Sequence, residues 1–310
     1  MEQAQCLNTS GLIDPLFFLS TTLCGIDQLF GLQSHQKRRR RRSGTVHGRT
    51  GVDPIAQALV DDLTEDAELG REHAYQLVRF YLHVQKLRVA ANNRAKALER
   101  SGRPNRTPVA VAERLFLLER SISQALGAWV RSHPAGQWML RQHGVGPVLA
   151  AALLAILLRG PIPERVSSWW AYAGLAPDRV HERGRPRTWN ATLKVFCYRL
   201  ADSFVRFHDD PKCYYGQVYA QRKALEQERN ERGEYQSLAK KTLETRDIRD
   251  PETRDWYEKG MLPPGRIELR ARRYGVKLFL AHLHHICYEA AYGKLPPHPY
   301  PIPPPLLEGQ

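Results

Sequence analysis

The sequence predicts a mainly α-helical fold, and three observations predict it. From Arg71 to Arg100 the apolar residues Leu77, Phe80, Val84, Leu87, Ala91, Ala95 and Leu98 recur every three or four positions, with Arg79, Lys86, Arg88, Arg94 and Lys96 between them. From Thr107 onward Val111, Leu115, Leu118, Ile122, Leu126 and Trp129 repeat the stripe. A third run, Trp138 to Leu154, has a glycine-marked turn at its centre with apolar sequence on both sides.

Local signals set the bounds of each element. Ser101-Gly102-Arg103-Pro104 stops the first helix, and Thr107-Pro108 opens the second, since proline suits a first turn and threonine a cap. Two facing stripes joined by a short turn make a long antiparallel helical hairpin. It is either an ordinary helix pair within one subunit or a coiled-coil arm used in dimerisation. A helix from about Asn190 turns Leu193, Phe196, Leu200 and Phe204 inward. Asp209-Asp210-Pro211 reads as the cap of a helix over 211–228. Residues 230–266 are polar and charged, with turn signals at Asp250-Pro251 and Pro263-Pro264-Gly265. A last helix over 267–292 ends at Gly293, and the proline-rich tail over 296–305 is extended. The resulting organisation is a poorly ordered arm over 1–50, the helical hairpin over 51–132, a compact helix-hairpin-helix domain over 133–232, and a C-terminal segment over 233–310.

Composition narrows the function classes. The chain of 310 residues is 42% hydrophobic and 25% charged, ordinary globular usage that excludes disorder throughout. Lysine and arginine number 46 against 32 acids, a net charge of +14, which favours polyanionic partners, nucleic acid first. Five scattered cysteines without a C-x-x-C pair indicate neither a disulfide framework nor a zinc knuckle. No apolar run is long enough for a membrane span, and the basic cluster Lys37, Arg38, Arg39, Arg40, Arg41, Arg42 follows the apolar stretch 11–32, the reverse of a secretory signal. The reading is a cytoplasmic, nucleoid-associated protein with no membrane partner. Six adjacent like charges repel and stay solvated, so that cluster is either a solubilising linker or an arm that adds phosphate contacts.

The motif with the clearest chemistry is Gly144-Val145-Gly146-Pro147. Its glycines permit a tight turn and the close approach of another surface, and Pro147 stands at a helix start. Backbone N–H groups at such a start are unpaired and suit a phosphate oxygen. This is the pattern of a helix-hairpin-helix, which grips a nucleic-acid backbone without reading bases. Downstream, Trp169 and Trp170 are either stacking platforms or core, core being the commoner fate of aromatics at helical spacing. A basic loop then carries Arg179, Arg183, Arg185 and Arg187. Within it, Arg183-Gly184-Arg185-Pro186-Arg187 has the form of a minor-groove hook, generic phosphate contact being the commoner role for such a run, and Lys194 follows on the next helix.

Gly144-Val145-Gly146-Pro147, Trp170-Ala171-Tyr172-Ala173-Gly174-Leu175-Ala176-Pro177 and Asn190 with Leu193-Lys194 resemble the C-terminal domain of the insertion-sequence one-ten transposases. The pilin-gene invertases are similar. The preceding helix pair with Asn93-Arg94 resembles that family's central coiled-coil segment, so the resemblance covers roughly residues 70 to 230. It implies DNA transposition and recombination: strand cleavage by an N-terminal ribonuclease-H-like domain binding divalent metal, a serine nucleophile in the C-terminal domain, and a structured guide RNA for some members.

This sequence departs from that pattern twice. Fewer than seventy residues precede the hairpin, too few for the metal-binding domain, and Asp61-Asp62 with Glu65-Asp66 look like a helix start. The loop between Pro177 and Asn190 has no serine, and Thr188 is its only hydroxyl. The expectation is a DNA-binding transposase-family protein lacking its own catalytic acids, with catalytic residues unassigned. No cofactor is evident, magnesium being needed only if an active catalytic domain is supplied. Expected partners are DNA, guide RNA by the resemblance, and a second copy through the helical hairpin. The alternatives are an active recombinase or nuclease using a relocated or partner's metal site, and an RNA-binding scaffold. His282 and His285 share one helix face, but the packing or surface reading is preferred to a metal site for them and for Asp202, Asp209 and Asp210.

Overall fold

Why these residues form these elements is clearest at the centre. The computed structural model describes residues 54–64, 67–176 and 184–301, with side chains of 64–69 excluded. Among the described residues there are eleven helices and no strand. The helix Pro147–Leu157, α5 in chain order, is apolar on every side, and every residue from Ala150 to Leu157 is buried. A helix of that composition is stable only when surrounded.

Its surroundings are α2 (Ala67–Arg100), α3 (Arg106–Arg131), α4 (Pro134–Arg141) and α7 (Ala191–Arg206). A short helix, α1 (Pro54–Thr64), packs on α2 and α3. The second organising element is α11 (Pro264–Tyr292), which packs on α4, α6 (Val166–Tyr172), α7 and α8 (Tyr214–Glu231). One hydrophobic core runs from Leu63 of α1 to Tyr288 of α11, taking in Leu126, Leu153, Phe204 and Phe279.

α2 ends at Arg100 where Gly102 turns at φ 68 and Arg103 N donates to Leu98 O. Arg88 and Glu119 are nearly equidistant in sequence from that turn and pair at 2.6 Å, as antiparallel neighbours must. The apolar stripe is only partly inward, however. Leu77 and Ala95 are buried, but Phe80 and Leu87 are 61% and 59% exposed, and Val111 of α3 is exposed. Three residues turn a helix by about 300°, so positions 80 and 87 stand some 60° off the line of 77, 84 and 91. The buried edge runs instead on the side of Ala74 and Val78.

Three further expectations are corrected. Asp61 and Asp62 lie in the last turn of α1, not at a helix start, and Glu65-Asp66 fall outside the described residues. α8 begins at Tyr214 with Cys213 as its cap residue; Asp210 instead accepts from Lys212 N at 2.9 Å and closes the preceding turn. The polar stretch after α8 folds into α9 (Gln236–Thr245) and α10 (Pro251–Glu258), with Asp250 capping α10 through Thr253 N. Tyr235, Ala239, Tyr257, Leu262 and Ile267 form a small core of their own there. The basic cluster 37–42 and the tail beyond 301 lie outside the described residues.

Candidate nucleic-acid interface

The turn between α4 and α5 is held from two sides. Gln142 leaves the helix with extended backbone, Val145 N donates to Gln142 O at 3.0 Å, and Gly144 adopts φ 91, which an L side chain rarely takes. A Cβ on Gly144 would lie 3.0 Å from Ser203 Oγ and 3.3 Å from Phe207 Cδ2, so a side chain there meets a tight fit as well as an unfavourable angle. Ser203 Oγ donates to Gly144 O at 2.5 Å, and Cys213 Sγ donates to His143 O at 3.4 Å.

Gly146 is different. Its φ is −89, open to any residue, and a Cβ there would meet nothing within 4 Å. It caps α5 without a side chain, and the N–H groups of Gly146, Val148 and Leu149 find no acceptor among the described residues. Val145, assigned to the binding surface from sequence, has its side chain in the core, so only its backbone belongs to the turn. Pro147 is half-buried and, with the Arg131 guanidinium, lies against Gly127: a Cβ there would be in ordinary contact with both, 3.4 Å from Arg131 Nη1 and 3.6 Å from Pro147 Cβ. Arg131, which sequence reading missed, therefore stands beside the start of α5. A carboxylate also borders the turn: Asp210 Oδ2 is 3.2 Å from His143 Nε2, within ion-pair distance but without a hydrogen bond.

Lys194 and the described end of the basic loop, residues 184–189, are at the other end of α7. Gly144 meets Ser203 and Phe207 at that helix's C-terminus, while Lys194 is in its first turn, about 14 Å away at 1.5 Å per residue. The hairpin and Lys194 are therefore not brought together. Arg179 and Arg183 lie outside the described residues; Arg185 and Arg187 are exposed, on either side of Pro186.

Trp-Ala-Tyr-Ala-Gly-Leu explains how the loop returns. Gly174 at φ 64 leaves room for Trp189, whose Cγ and Cδ1 would lie 2.8 Å from a Cβ there. Asn190 caps α7 by accepting from Leu193 N at 2.9 Å, and its Nδ2 donates to Tyr172 Oη at 2.8 Å. Lys194 Nζ sits 4.6 Å from the Trp189 ring centroid. Trp169 is core, edge-on to His284, and Trp170 donates from Nε1 to Lys277 O at 3.0 Å.

The buried histidines and cysteines are used in packing. His282 is buried with Nδ1 2.7 Å from Tyr215 Oη, and His284 Nε2 is 2.6 Å from Pro163 O, with burial holding its pKa below the ordinary value. Burial pushes the Cys197 and Cys287 thiols up to about 12, so neither is a thiolate nucleophile near neutral pH. Asp202 pairs with Arg272. Among the described residues no three His, Cys, Asp or Glu side chains converge to hold a metal ion, and no helix is long and apolar enough to cross a membrane. No family model, curated protein or solved structure matches this chain.

Proposed function

We propose that this chain is a DNA-binding protein of the transposase and recombinase type, holding the phosphodiester backbone at the hairpin between α4 and α5 without reading bases. The observation that carries the reading is Gly146. The fold does not require glycine there, yet its absent side chain leaves open the approach to an uncapped helix start beside Arg131. A phosphate oxygen is the ligand such a start accepts best, because unpaired N–H groups and the helix dipole point the same way. The net charge of +14 supplies the long-range attraction. Association of two copies through the α2–α3 hairpin belongs to the same reading, supported by the exposure of Phe80, Leu87 and Phe116; sedimentation of wild type against Phe80→Ser with Leu87→Ser tests it.

The test of binding is fluorescence anisotropy with a duplex across a salt series. Affinity falls steeply with salt, and Gly146→Glu, which has room to fold normally, weakens it at least tenfold. Unchanged affinity in Gly146→Glu overturns the assignment. RNA of the same sequence, run in competition, decides whether the 2′-hydroxyl matters.

A further inference from the structure

Cations from three parts of the chain lie around the start of α7, at the end away from the hairpin: Lys194 is in its first turn, and Lys277 lies over Trp170 of α6, a helix tied to the α7 cap by the hydrogen bond from Asn190 Nδ2 to Tyr172 Oη. Arg187 closes the basic loop, Lys194 lies on α7, and Arg273 and Lys277 are one turn apart on α11. Two of them are positioned by indoles. Lys194 Nζ is 4.6 Å from the centroid of Trp189, and Lys277 Nζ is 4.0 Å from that of Trp170. A lysine laid over an indole has its stem packed and its half-buried ammonium held in place, so little side-chain freedom remains to be lost on binding an anion.

No carboxylate among the described residues pairs with any of the four. The neighbouring Arg272, by contrast, is paired with both Asp202 and Glu268. Burial, then Arg273 and Arg187, hold Lys194 below its ordinary pKa, and burial with Arg273 does the same to Lys277, in keeping with the packing of α11 on α6 and α7. Like charges so placed repel unless an anion is shared between them.

We propose that Arg187, Lys194, Arg273 and Lys277 form a phosphate-binding site for a nucleic-acid backbone, separate from the hairpin and held at a fixed distance from it by α7. The inference rests on the reading of the chain as a nucleic-acid binder, and it adds a second contact point that includes α11. Arginine supplies paired donors to phosphate oxygens, and lysine a compact point charge. Free polyphosphate offers the same chemistry, so both sources are tested.

The experiment uses the full chain, with Arg273→Gln and, separately, Lys277→Gln. Duplex binding is followed across a salt series, and melting temperature is followed with and without inorganic tripolyphosphate. Each variant is expected to bind duplex several-fold more weakly and to lower the slope of log affinity against log salt by about 0.9. Tripolyphosphate is expected to raise the wild-type melting temperature more than that of either variant. Without ligand, exposed Arg273→Gln melts at or above wild type, because a repelling neighbour is gone. Gly146→Glu separates the two ideas. If it weakens duplex binding while the Arg273 and Lys277 variants leave the salt slope unchanged, this site is overturned and the hairpin reading stands. If none of the three changes duplex binding, both fall. A tripolyphosphate response lost in Arg273→Gln with an unchanged duplex slope assigns the site to free polyphosphate and overturns the backbone assignment. An unliganded Arg273→Gln that melts below wild type shows that Arg273 already has a stabilising partner within the chain, and also overturns it.

Discussion

The hydroxyl of Ser203, in the last turn of α7, donates a 2.5 Å hydrogen bond to the carbonyl of Gly144 and ties the hairpin turn to a helix 59 residues further along the chain. The turn's shape is thus set by a long-range contact as well as by its own glycines. Replacing Gly144 by alanine forces a side chain into φ 91 and against Ser203 and Phe207, and is expected to cost about 1–3 kcal/mol. Ser203→Ala leaves the carbonyl without its donor and costs about 1–2 kcal/mol. Gly146→Ala changes stability by less than about 0.5 kcal/mol, since its Cβ meets nothing. Urea denaturation of the three variants checks this ordering, and equal losses at positions 144 and 146 would contradict it.

Gly174 governs the seating of the basic loop's return. An alanine there would bring Cβ to 2.8 Å from the Trp189 ring and 3.2 Å from Lys194 Cδ at a positive φ. Trp189 has to leave its place, taking Lys194 with it. Gly174→Ala is expected to destabilise the fold by about 1–3 kcal/mol and to change indole fluorescence under native conditions. A native-like spectrum at unchanged stability would show that the loop does not depend on this packing.

Glu226, 1% exposed, is where α8, α9 and α11 are joined. Its carboxylate accepts from Arg270 Nε at 2.6 Å, from Arg222 Nε at 2.8 Å, and from the Tyr235 hydroxyl. Burial pushes its pKa up, but the hydrogen bonds from Tyr235, Arg270 and Arg222 outweigh this and leave it below the ordinary value. Glu226→Gln removes the negative charge and leaves two arginines uncompensated, for an expected loss of about 3 kcal/mol. Asn230, clamped to Leu262 through both backbone groups, is lost to the same unit if α9 and α10 open. Limited proteolysis of Glu226→Gln is expected to cut first between residues 232 and 263.

Glu268 sets an acid limit on stability. Burial raises its pKa, but hydrogen bonds from Lys223, Tyr219 and Arg272 lower it to about 2 in the folded chain. A carboxylate depressed on folding contributes its stability above its unfolded pKa and loses it as pH falls through the folded one. The window therefore runs from about pH 5 down to about pH 2, and the contribution is up to about 3 kcal/mol. Glu226 acts in the same direction. Unfolding free energy measured from pH 6 to pH 2.5 should fall for wild type and fall less steeply for Glu268→Gln; parallel curves would refute the assignment.

Helix periodicity located the α2–α3 pair, the inward face of α7 and the extent of α11, because burial against a neighbour leaves a mark every three or four residues. Gly293 at φ 66 ends α11 at the residue where the pattern stops. The same signal misjudged Phe80 and Leu87, since a stripe of this width does not say which of its edges meets the partner. α9 and α10 were not legible at all: their core is five residues, one from within each of these two polar helices and the rest from flanking segments, spread over the 33 positions from 235 to 267.

Of the candidate site, the hairpin was legible because a turn is a local event written in glycine and proline. Arg131, Arg273 and Lys277 were not, because each belongs to a helix whose own pattern says only that the residue is polar. What the amino-acid sequence alone determined is the helical class, the excess of positive charge and the turn at Gly144 to Pro147. Tertiary structure decided which charges share a place. It set the hairpin and Lys194 at opposite ends of α7, and it packed α11, which carries Arg273 and Lys277, against α6 and α7, because contact between distant segments follows from packing around α5 and α11 and not from proximity along the chain.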